Sequence, residues 1–270
     1  LETLKQQQPP YYFYNKSSTP IAQMQKTYFE VAPQALDFGN RDTPTNINDL
    51  RFENTYIKNR SRTKYMLIVF HTPQCPKYVF HFRPQTRILS PHTSATVMVC
   101  MYLYCTTKIK DMKINFTVWL SKNRSALASV ADLLRGKQFE SWSESDQRQM
   151  DKLLKHIHSH YHGNFEIKTD SATSTFLDMD ELVLRDMPIA EGAAGRVYIG
   201  RYRSVEVAVK MFHWESLSGE EMDELKENVI RECELMAKLR NPFIVNYIGS
   251  VTYIPQVSLV MQFFVLGSLG

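Results

Sequence analysis

The stretch from Ile189 to Lys210 reads I-A-E-G-A-A-G-R-V-Y-I-G-R-Y-R-S-V-E-V-A-V-K and decides how the last third of the chain folds. It predicts a strand, a glycine turn, a second strand, a hairpin and a third strand. Gly192 and Gly195 bracket two alanines, so the turn has little side-chain cover and its N–H groups can face phosphate oxygens. Strands flank the turn on both sides, which excludes the Rossmann fingerprint and the P-loop, because their glycines open a helix. A tight hairpin alone would also explain the two glycines.

The residues after the turn place a lysine next to it. Val205, Val207 and Val209 recur with a period of two, so Lys210 is expected on the opposite face of the third strand, beneath the glycine turn.

A helix is expected next. Ser218 and Glu221 fit a capping box, and the helical pattern runs to Arg240, where Asn241-Pro242 stops it. Its apolar stripe takes residues at spacings of four, three, four and three: Leu225, Val229, Glu232, Met236 and Leu239.

The stripe includes one carboxylate, Glu232. A buried unpaired carboxylate costs several kcal/mol, so the pattern predicts a cation within hydrogen-bond reach, and Lys210 is the candidate. Alternatively, Glu232 turns out to solvent at the edge of the stripe.

Two more strands, Asn246 to Tyr253 and Val257 to Phe263, precede a linker. The order A-E-G-A-A-G-R-V, V-A-V-K, R-E-C-E-L-M-A-K-L-R-N-P-F-I-V and S-L-V-M-Q-F-F-V-L-G-S-L resembles the small lobe of a protein kinase of the tyrosine-kinase-like group.

The resemblance assigns roles by motif position. It implies that Gly192 and Gly195 cover the ATP phosphates, that Lys210 contacts the α- and β-phosphates, and that Glu232 holds the lysine. Ala190 stands where the first loop glycine of the family usually stands, and its methyl group restricts positive φ there. The implied purine site consists of Val197, Ala208, the gatekeeper Met261 and the backbones of Gln262 and Phe264.

The implied reaction is transfer of the ATP γ-phosphoryl group to a protein hydroxyl, with Mg²⁺ held by residues of a large lobe that this chain lacks. The chain starts at Leu1 rather than methionine and stops at Gly270, just past the hinge, so we expect a piece that is inactive within a parent that is active. Two alternatives are a pseudokinase and an interaction or scaffold protein without phosphotransfer.

Composition gives weaker indications. The 270 residues carry a formal net charge of +4, but residues 1–123 are basic and residues 124–270 are acidic. A basic half can attract acidic partners, phosphoinositides or nucleic acid; its charges are scattered, so a solvated basic β-domain without nucleic-acid binding is expected. The four cysteines lack metal-ligand spacing, which favours reduced, intracellular thiols. The resemblance to a kinase lobe implies a cytoplasmic location, with a membrane span outside this piece left open; the piece itself shows no signal peptide and no long apolar run.

The first half of the chain has the pattern of a β-sandwich. Residues 28–123 show about seven short strands, which favour an immunoglobulin-like sandwich. The pattern F-x-V-x-P-x-x-L-D-F-G from Phe29, I-K-N-R-S from Ile57 and the later F-x-F-x-P and L-x-P resemble major sperm protein and ASPM/SPD-2/Hydin-type domains. That resemblance implies a protein partner and no catalytic site.

Two triplets imitate kinase motifs. The metal-binding triplet of kinases has the same letters as Asp37-Phe38-Gly39, and part of the catalytic loop has the same letters as Leu184-Arg185-Asp186. Both triplets precede the glycine turn, whereas in kinases these motifs follow the hinge. Asp37 is therefore expected to be a turn residue at a strand end.

Residues 124–180 predict a helical insertion and linker, with Ser143 as a helix cap and a last sandwich strand near 165–168. His156, His158, His160 and His162 allow zinc pairing at i and i+4, but a solvated helix end is favoured and no metal site is expected.

The expected fold is therefore mostly β and multidomain: a linker at 1–27, the sandwich at 28–123, the insertion at 124–180, and a kinase small lobe at 181–270 with five antiparallel strands and one helix, ending at the hinge.

Overall fold

The computed structural model describes residues 28–39, 47, 49–73, 75–107, 109–135, 142–155, 157, 159–169, 174–214, 216–239, 244–265 and 267. The predicted linker at 1–27 and the expected helix stop at Asn241-Pro242 lie outside the described residues.

Nine strands form the first part of the chain: β1 (Phe29–Ala32), β2 (Ala35–Asp37), β3 (Arg51–Asn59), β4 (Tyr65–His71), β5 (Tyr78–Arg83), β6 (Thr86–Leu89), β7 (Ser94–Leu103), β8 (Ile109–Ser121) and β9 (Ser159–Thr169). They make a four-stranded sheet in the order β1-β3-β7-β5 and a five-stranded sheet in the order β2-β9-β8-β4-β6. The inner faces of the two sheets share one core, which includes Phe29, Phe70, Phe80 and Phe116. Two sheets packed face to face therefore form this part of the chain. Eight of the described strands lie within residues 28–123, one more than the seven or so predicted, and β9 contains the last strand predicted near 165–168.

Strand β4 shows why one sheet is covered on both sides. Its run Met66-Leu-Ile-Val-Phe70 is apolar without alternation and fully buried, as expected for a strand with packing on both faces. Met66, Ile68 and Phe70 point into the sandwich core, and Leu67 and Val69 point outward under helices.

Two helices cover that outer face: α1 (Arg124–Leu134) and α2 (Glu144–Leu154). The side chain of Asn123 caps α1 by accepting from the N–H groups of Ser125 and Ala126. Ser143 caps α2 in a reciprocal capping box with Asp146, which confirms the predicted cap.

The last part of the chain is a sheet of five antiparallel strands with one helix. The strands are β10 (Leu182–Gly192), β11 (Gly195–Tyr202), β12 (Val205–Phe212), β13 (Tyr247–Val251) and β14 (Ser258–Gln262), and the helix is α3 (Gly219–Lys238). The strand order is β10-β11-β12-β14-β13. Ser218 and Glu221 form the expected capping box at the start of α3. The predicted kinase-like architecture of this region, five strands and one helix, is confirmed.

The two faces of this sheet carry different neighbours. On one face, Phe212 and Leu259 pack against Val229 and Cys233 of α3. On the other face, Val207 and Val209 pack in a buried cluster that contains Leu177, from the segment before β10, and Cys105, from the sandwich.

Candidate functional site

The glycine turn joins β10 to β11. Gly192 pairs directly with Gly195, and Ala193 and Ala194 between them form an exposed turn. A Cβ atom on Gly195 would lie 2.0 Å from the carbonyl oxygen of Met211, and Gly195 has a φ of +154°. A Cβ atom on Gly192 would meet nothing within 4 Å. Gly195 is thus required for the close approach of β11 to β12, whereas Gly192 keeps the turn uncovered.

Strand register brings the predicted purine and phosphate residues together. Val197 pairs with Lys210, and Ala208 pairs with Met261. Directly paired residues lie on the same face of an antiparallel sheet, and Ala208 and Lys210 are two residues apart on one strand. Val197, Ala208, Lys210 and Met261 therefore share one face, which is also the face next to α3.

The remaining predicted residues lie at the margins of that face. Ala190, in β10, is exposed and pairs with Val197. Gln262 ends β14, and its N–H donates to the carbonyl oxygen of Asn246 at 2.9 Å. Phe264 is exposed two residues further on, and its carbonyl oxygen accepts from the N–H of Gly267 at 3.1 Å.

The ammonium group of Lys210 lies over an aromatic ring. Its Nζ atom is 4.8 Å from the centroid of the Phe212 ring, within cation–π range. Within the described part of the chain, no carboxylate oxygen approaches this atom within 4.0 Å. Sequence reasoning missed Phe212, although its position two residues after Lys210 in a period-two strand was a usable signal.

The expected pairing of Glu232 with Lys210 is wrong for this structure. Glu232 is exposed, and no ion pair joins it to Lys210 among the residues that the structure describes. The buried side of α3 runs through Val229 and Cys233 instead. Residues at i+3 and i+4 from Val229 lie side by side on a helix, and the apolar thiol takes the inward position. Glu232 lies at the edge of the stripe, so its charge needs no buried partner.

The two imitation triplets have structural roles. Asp37 ends β2 and its Oδ1 atom accepts from the N–H of Gly39 at 3.0 Å, which confirms the expected strand-end turn. Phe38 is buried in the sandwich core. Arg185, in β10, donates to Glu206 at 3.0 Å on the surface.

The histidine prediction needs a correction. Helix α2 ends at Leu154, and His160 and His162 lie in strand β9 rather than at a helix end; His156 and His158 are outside the described residues. His162 shares the hydroxyl of Thr117 with His71: Thr117 Oγ1 is 3.2 Å from His162 Nδ1 and 2.9 Å from His71 Nε2. Burial, and then the proximity of His162, lower the pKa of His71 to about 3.

No group of three or more His, Cys, Asp or Glu side chains in the described ranges could hold a metal ion. The described residues thus do not supply the ligands that the implied Mg²⁺ would need. The face that carries Val197, Ala208, Lys210 and Met261 does fit a nucleotide, since it offers apolar walls and a cation beside an exposed glycine turn.

A cavity of about 610 Å³ lies elsewhere, between β6 and α1 on the sandwich, and no residue of the predicted nucleotide site lines it. None of the described helices is long and apolar enough to cross a membrane.

Comparisons with known proteins agree with the kinase-like region. The family described as protein tyrosine and serine/threonine kinase matches residues 183–270. The probable serine/threonine-protein kinase gdt9 of Dictyostelium discoideum is 33% identical over 110 residues, 41% of this chain and 6% of that protein. The probable serine/threonine-protein kinase SIS8 of Arabidopsis thaliana is 38% identical over 93 residues, 33% of this chain and 9% of that protein.

One similarity extends further towards the N-terminus. The probable serine/threonine-protein kinase gdt2 of Dictyostelium discoideum is 24% identical over 221 residues, which is 81% of this chain and 11% of that protein. This chain thus spans less than a fifth of the length of each of these three relatives. Its residues 183–270 match the protein tyrosine and serine/threonine kinase family, with the strands, helix and glycine turn of that region in place.

Proposed function

We propose that residues 181–270 are the ATP-binding lobe of a protein kinase, and that the parent protein transfers the γ-phosphoryl group of ATP to serine or threonine hydroxyls of other proteins. The relatives named above support the serine/threonine preference, and the motif order resembles the tyrosine-kinase-like group. The observation that carries the proposal is the register that puts Val197, Ala208, Lys210 and Met261 on one face.

Each proposed group has a physical task. Val197 and Ala208 would enclose the adenine between apolar surfaces, Met261 would limit the depth of the site, and the backbones at Gln262 and Phe264 would hydrogen-bond the purine edge. The ammonium of Lys210 would neutralise phosphate charge, as the exposed turn from Gly192 to Gly195 covers the phosphates. Catalysis of phosphoryl transfer depends mostly on such positioning and charge neutralisation.

We further propose that the 270-residue chain does not itself catalyse transfer. Within the described residues, no group of three or more His, Cys, Asp or Glu side chains could hold a metal ion, and no carboxylate oxygen lies within 4.0 Å of the Nζ atom of Lys210. The nine-stranded sandwich, together with α1 and α2, would bind a protein partner in the cytoplasm, in the manner of major sperm protein domains.

ATP binding by the chain tests the proposal. A fluorescent ATP analogue is titrated into the 270-residue chain and then displaced with unlabelled ATP. We expect saturable binding that ATP reverses, and we expect Ala208→Leu to weaken it, because the added side chain fills the space proposed for adenine. A control, Ala35→Leu, lies at an exposed position of β2 on the sandwich. Binding that is unaffected by Ala208→Leu, or no displaceable binding, would refute the nucleotide site.

A second function, pseudokinase signalling, is favoured by one observation. Glu232 is exposed and no ion pair links it to Lys210 among the described residues, whereas an active kinase needs this pair in place. In a pseudokinase, nucleotide binding would act as a switch without phosphotransfer. A phosphotransfer assay on the full-length parent separates the two, since only an active kinase loses incorporation on Lys210→Ala.

A further inference from the structure

A buried ion pair joins the sandwich to the kinase-like region. Lys77 lies just before β5, is 9% exposed, and its Nζ atom is 2.7 Å from Oδ1 of Asp178. Asp178 precedes β10, and 6% of its side chain is exposed. The same Oδ1 atom accepts a hydrogen bond of 3.0 Å from the hydroxyl of Tyr253, which lies in the turn between β13 and β14. Three separate segments of the chain therefore meet at one carboxylate.

The surroundings of Lys77 and Asp178 favour the charged form of both side chains. Burial alone would raise the pKa of Asp178. The hydrogen bond and the charge of Lys77 lower this pKa by a larger amount, so it lies below its usual value. For Lys77, burial lowers the pKa, while the hydrogen bonds to Asp178 and Asp180 raise it more. Both groups are thus charged at neutral pH.

Apolar and main-chain contacts surround the ion pair. Cys105 follows β7 of the sandwich and is 1% exposed in the buried cluster that contains Leu177, Val207 and Val209. The N–H of Thr106 donates to the carbonyl oxygen of Phe176 at 3.0 Å, and its hydroxyl donates to Glu181 at 2.6 Å. The sandwich and the five-stranded sheet therefore share a core as well as a salt bridge.

The joined face is the back of the proposed nucleotide site. Val207 and Val209 of β12 point into the shared core, whereas Ala208 and Lys210 alternate with them and point to the opposite face. A displacement of the side chains in the shared core would therefore also move β12, the strand that carries the proposed adenine and phosphate contacts.

The segment before β10 transmits this contact to the sheet. The N–H of Leu177 donates to Ser250 and the N–H of Ser250 donates to Thr175, both at 2.7 Å, so the segment adds to the free edge of β13. The fit is close, because a Cβ atom on Gly249 would lie 2.6 Å from Leu177. The segment between sandwich and lobe is thus part of the lobe's own sheet.

We propose that Lys77 is a positioning residue for the nucleotide site: by pairing with Asp178 it fixes the sandwich to the back of the sheet whose front binds ATP. The sandwich then controls the nucleotide site. A partner that moves Lys77 and Cys105 would displace the shared core against which Val207 and Val209 of β12 pack. The expected effect on ATP rests on the proposed function. The joint between sandwich and sheet, made by the ion pair of Lys77 with Asp178, does not rest on it.

Removing one partner of a buried ion pair leaves an uncompensated charge, whereas removing both leaves none. The test therefore uses four variants of the 270-residue chain: Lys77→Met, the charge-conserving Lys77→Arg, the double variant Lys77→Met with Asp178→Asn, and Lys58→Met as a control on the exposed side of β3. Calorimetric unfolding reports whether sandwich and lobe unfold together. Affinity for the fluorescent ATP analogue is measured well below the unfolding temperature.

We expect wild type, Lys77→Arg and Lys58→Met to unfold in one transition with equal ATP affinity. We expect Lys77→Met and the double variant to unfold in two transitions and to bind ATP about fivefold more weakly or worse, the lower end of usual coupling between sites. The double variant decides the matter if Lys77→Met does not fold. A single transition, or unchanged affinity, in the folded variants overturns the proposal. If the wild type binds no ATP, the proposed function fails, and the number of transitions alone decides for or against the joint.

Discussion

The ammonium group of Lys210 lies 4.8 Å from the ring centroid of Phe212 and not beside the carboxylate of Glu232. Both aromatic ring and ammonium lie on the sheet face that meets α3. The cation is thus held at the proposed phosphate position by its own strand. Helix α3 would have to present Glu232 inward before the ion pair of an active kinase could form.

The two glycines of the turn should differ in their tolerance of a methyl group. We expect Gly195→Ala to destabilise the chain by about 2 kcal/mol or more, because its Cβ would overlap the carbonyl oxygen of Met211 and its φ is positive. Gly192→Ala should cost less than about 0.5 kcal/mol, since nothing lies within 4 Å of the added atom. Urea unfolding measures both, and equal costs would mean that β11 does not approach β12 as closely as described.

Helix α3 offers a second matched pair. Val229→Ala should destabilise the chain by about 1 to 2 kcal/mol, because Val229 is 2% exposed against Phe212 and Leu259. Glu232→Ala should change stability by less than about 0.5 kcal/mol, since its side chain is exposed. If Glu232→Ala proved as costly as Val229→Ala in thermal unfolding, the carboxylate would be buried and paired in solution, contrary to the structure.

The stability of the chain should fall in mild acid. The pKa of His71 is lowered to about 3 by burial and then by His162, and the pKa of His162 to about 4 by burial and then by His160. The unfolded chain takes up protons on these histidines below about pH 6.5, and the folded chain does not, so stability is full above that pH and is lost as pH falls.

For His71 alone the loss approaches about 1.4 kcal/mol per pH unit between about pH 6 and about pH 4. Urea unfolding across this range measures it. The variant His71→Gln should unfold with a shallower pH dependence than wild type. An unchanged dependence would show that His71 takes up its proton equally well in the folded and the unfolded chain.

The sequence was sufficient where short-range patterns decide structure. The capping boxes at Ser143 and Ser218 and the strands around the glycine turn were predicted, because caps and period-two alternation act over a few residues. The shared face of Ala208 and Lys210 also follows from alternation alone.

Other features depended on residues far apart in the chain. Strand β6 is four residues long and has no alternation of apolar and polar residues. Of β9, the sequence predicted only residues 165–168, because histidines and Asn164 interrupt the apolar pattern before them. The parallel pairing of β9 with β2 joins residues more than a hundred positions apart. Lys77 and Asp178 meet in the same way, and no local pattern marks either residue.

The inward position on α3 was missed for a different reason. Glu232 and Cys233 are adjacent, and a spacing of three or four from Val229 fits either. Only the direction from which the sheet meets the helix decides between them, and that direction is set by tertiary packing.

Lys210 is the residue proposed to bind the phosphates of ATP, and the affinities of two ligands test this role. The affinities of ATP and adenosine are measured for the wild-type chain, for Lys210→Met, and for the control Lys168→Met on the sandwich. We predict that Lys210→Met weakens ATP binding about tenfold or more while adenosine binding is unchanged, because a charge-assisted contact to phosphate contributes about 1.5 to 3 kcal/mol, and that Lys168→Met alters neither. Equal affinities of wild type and Lys210→Met for ATP would show that Lys210 does not bind phosphate.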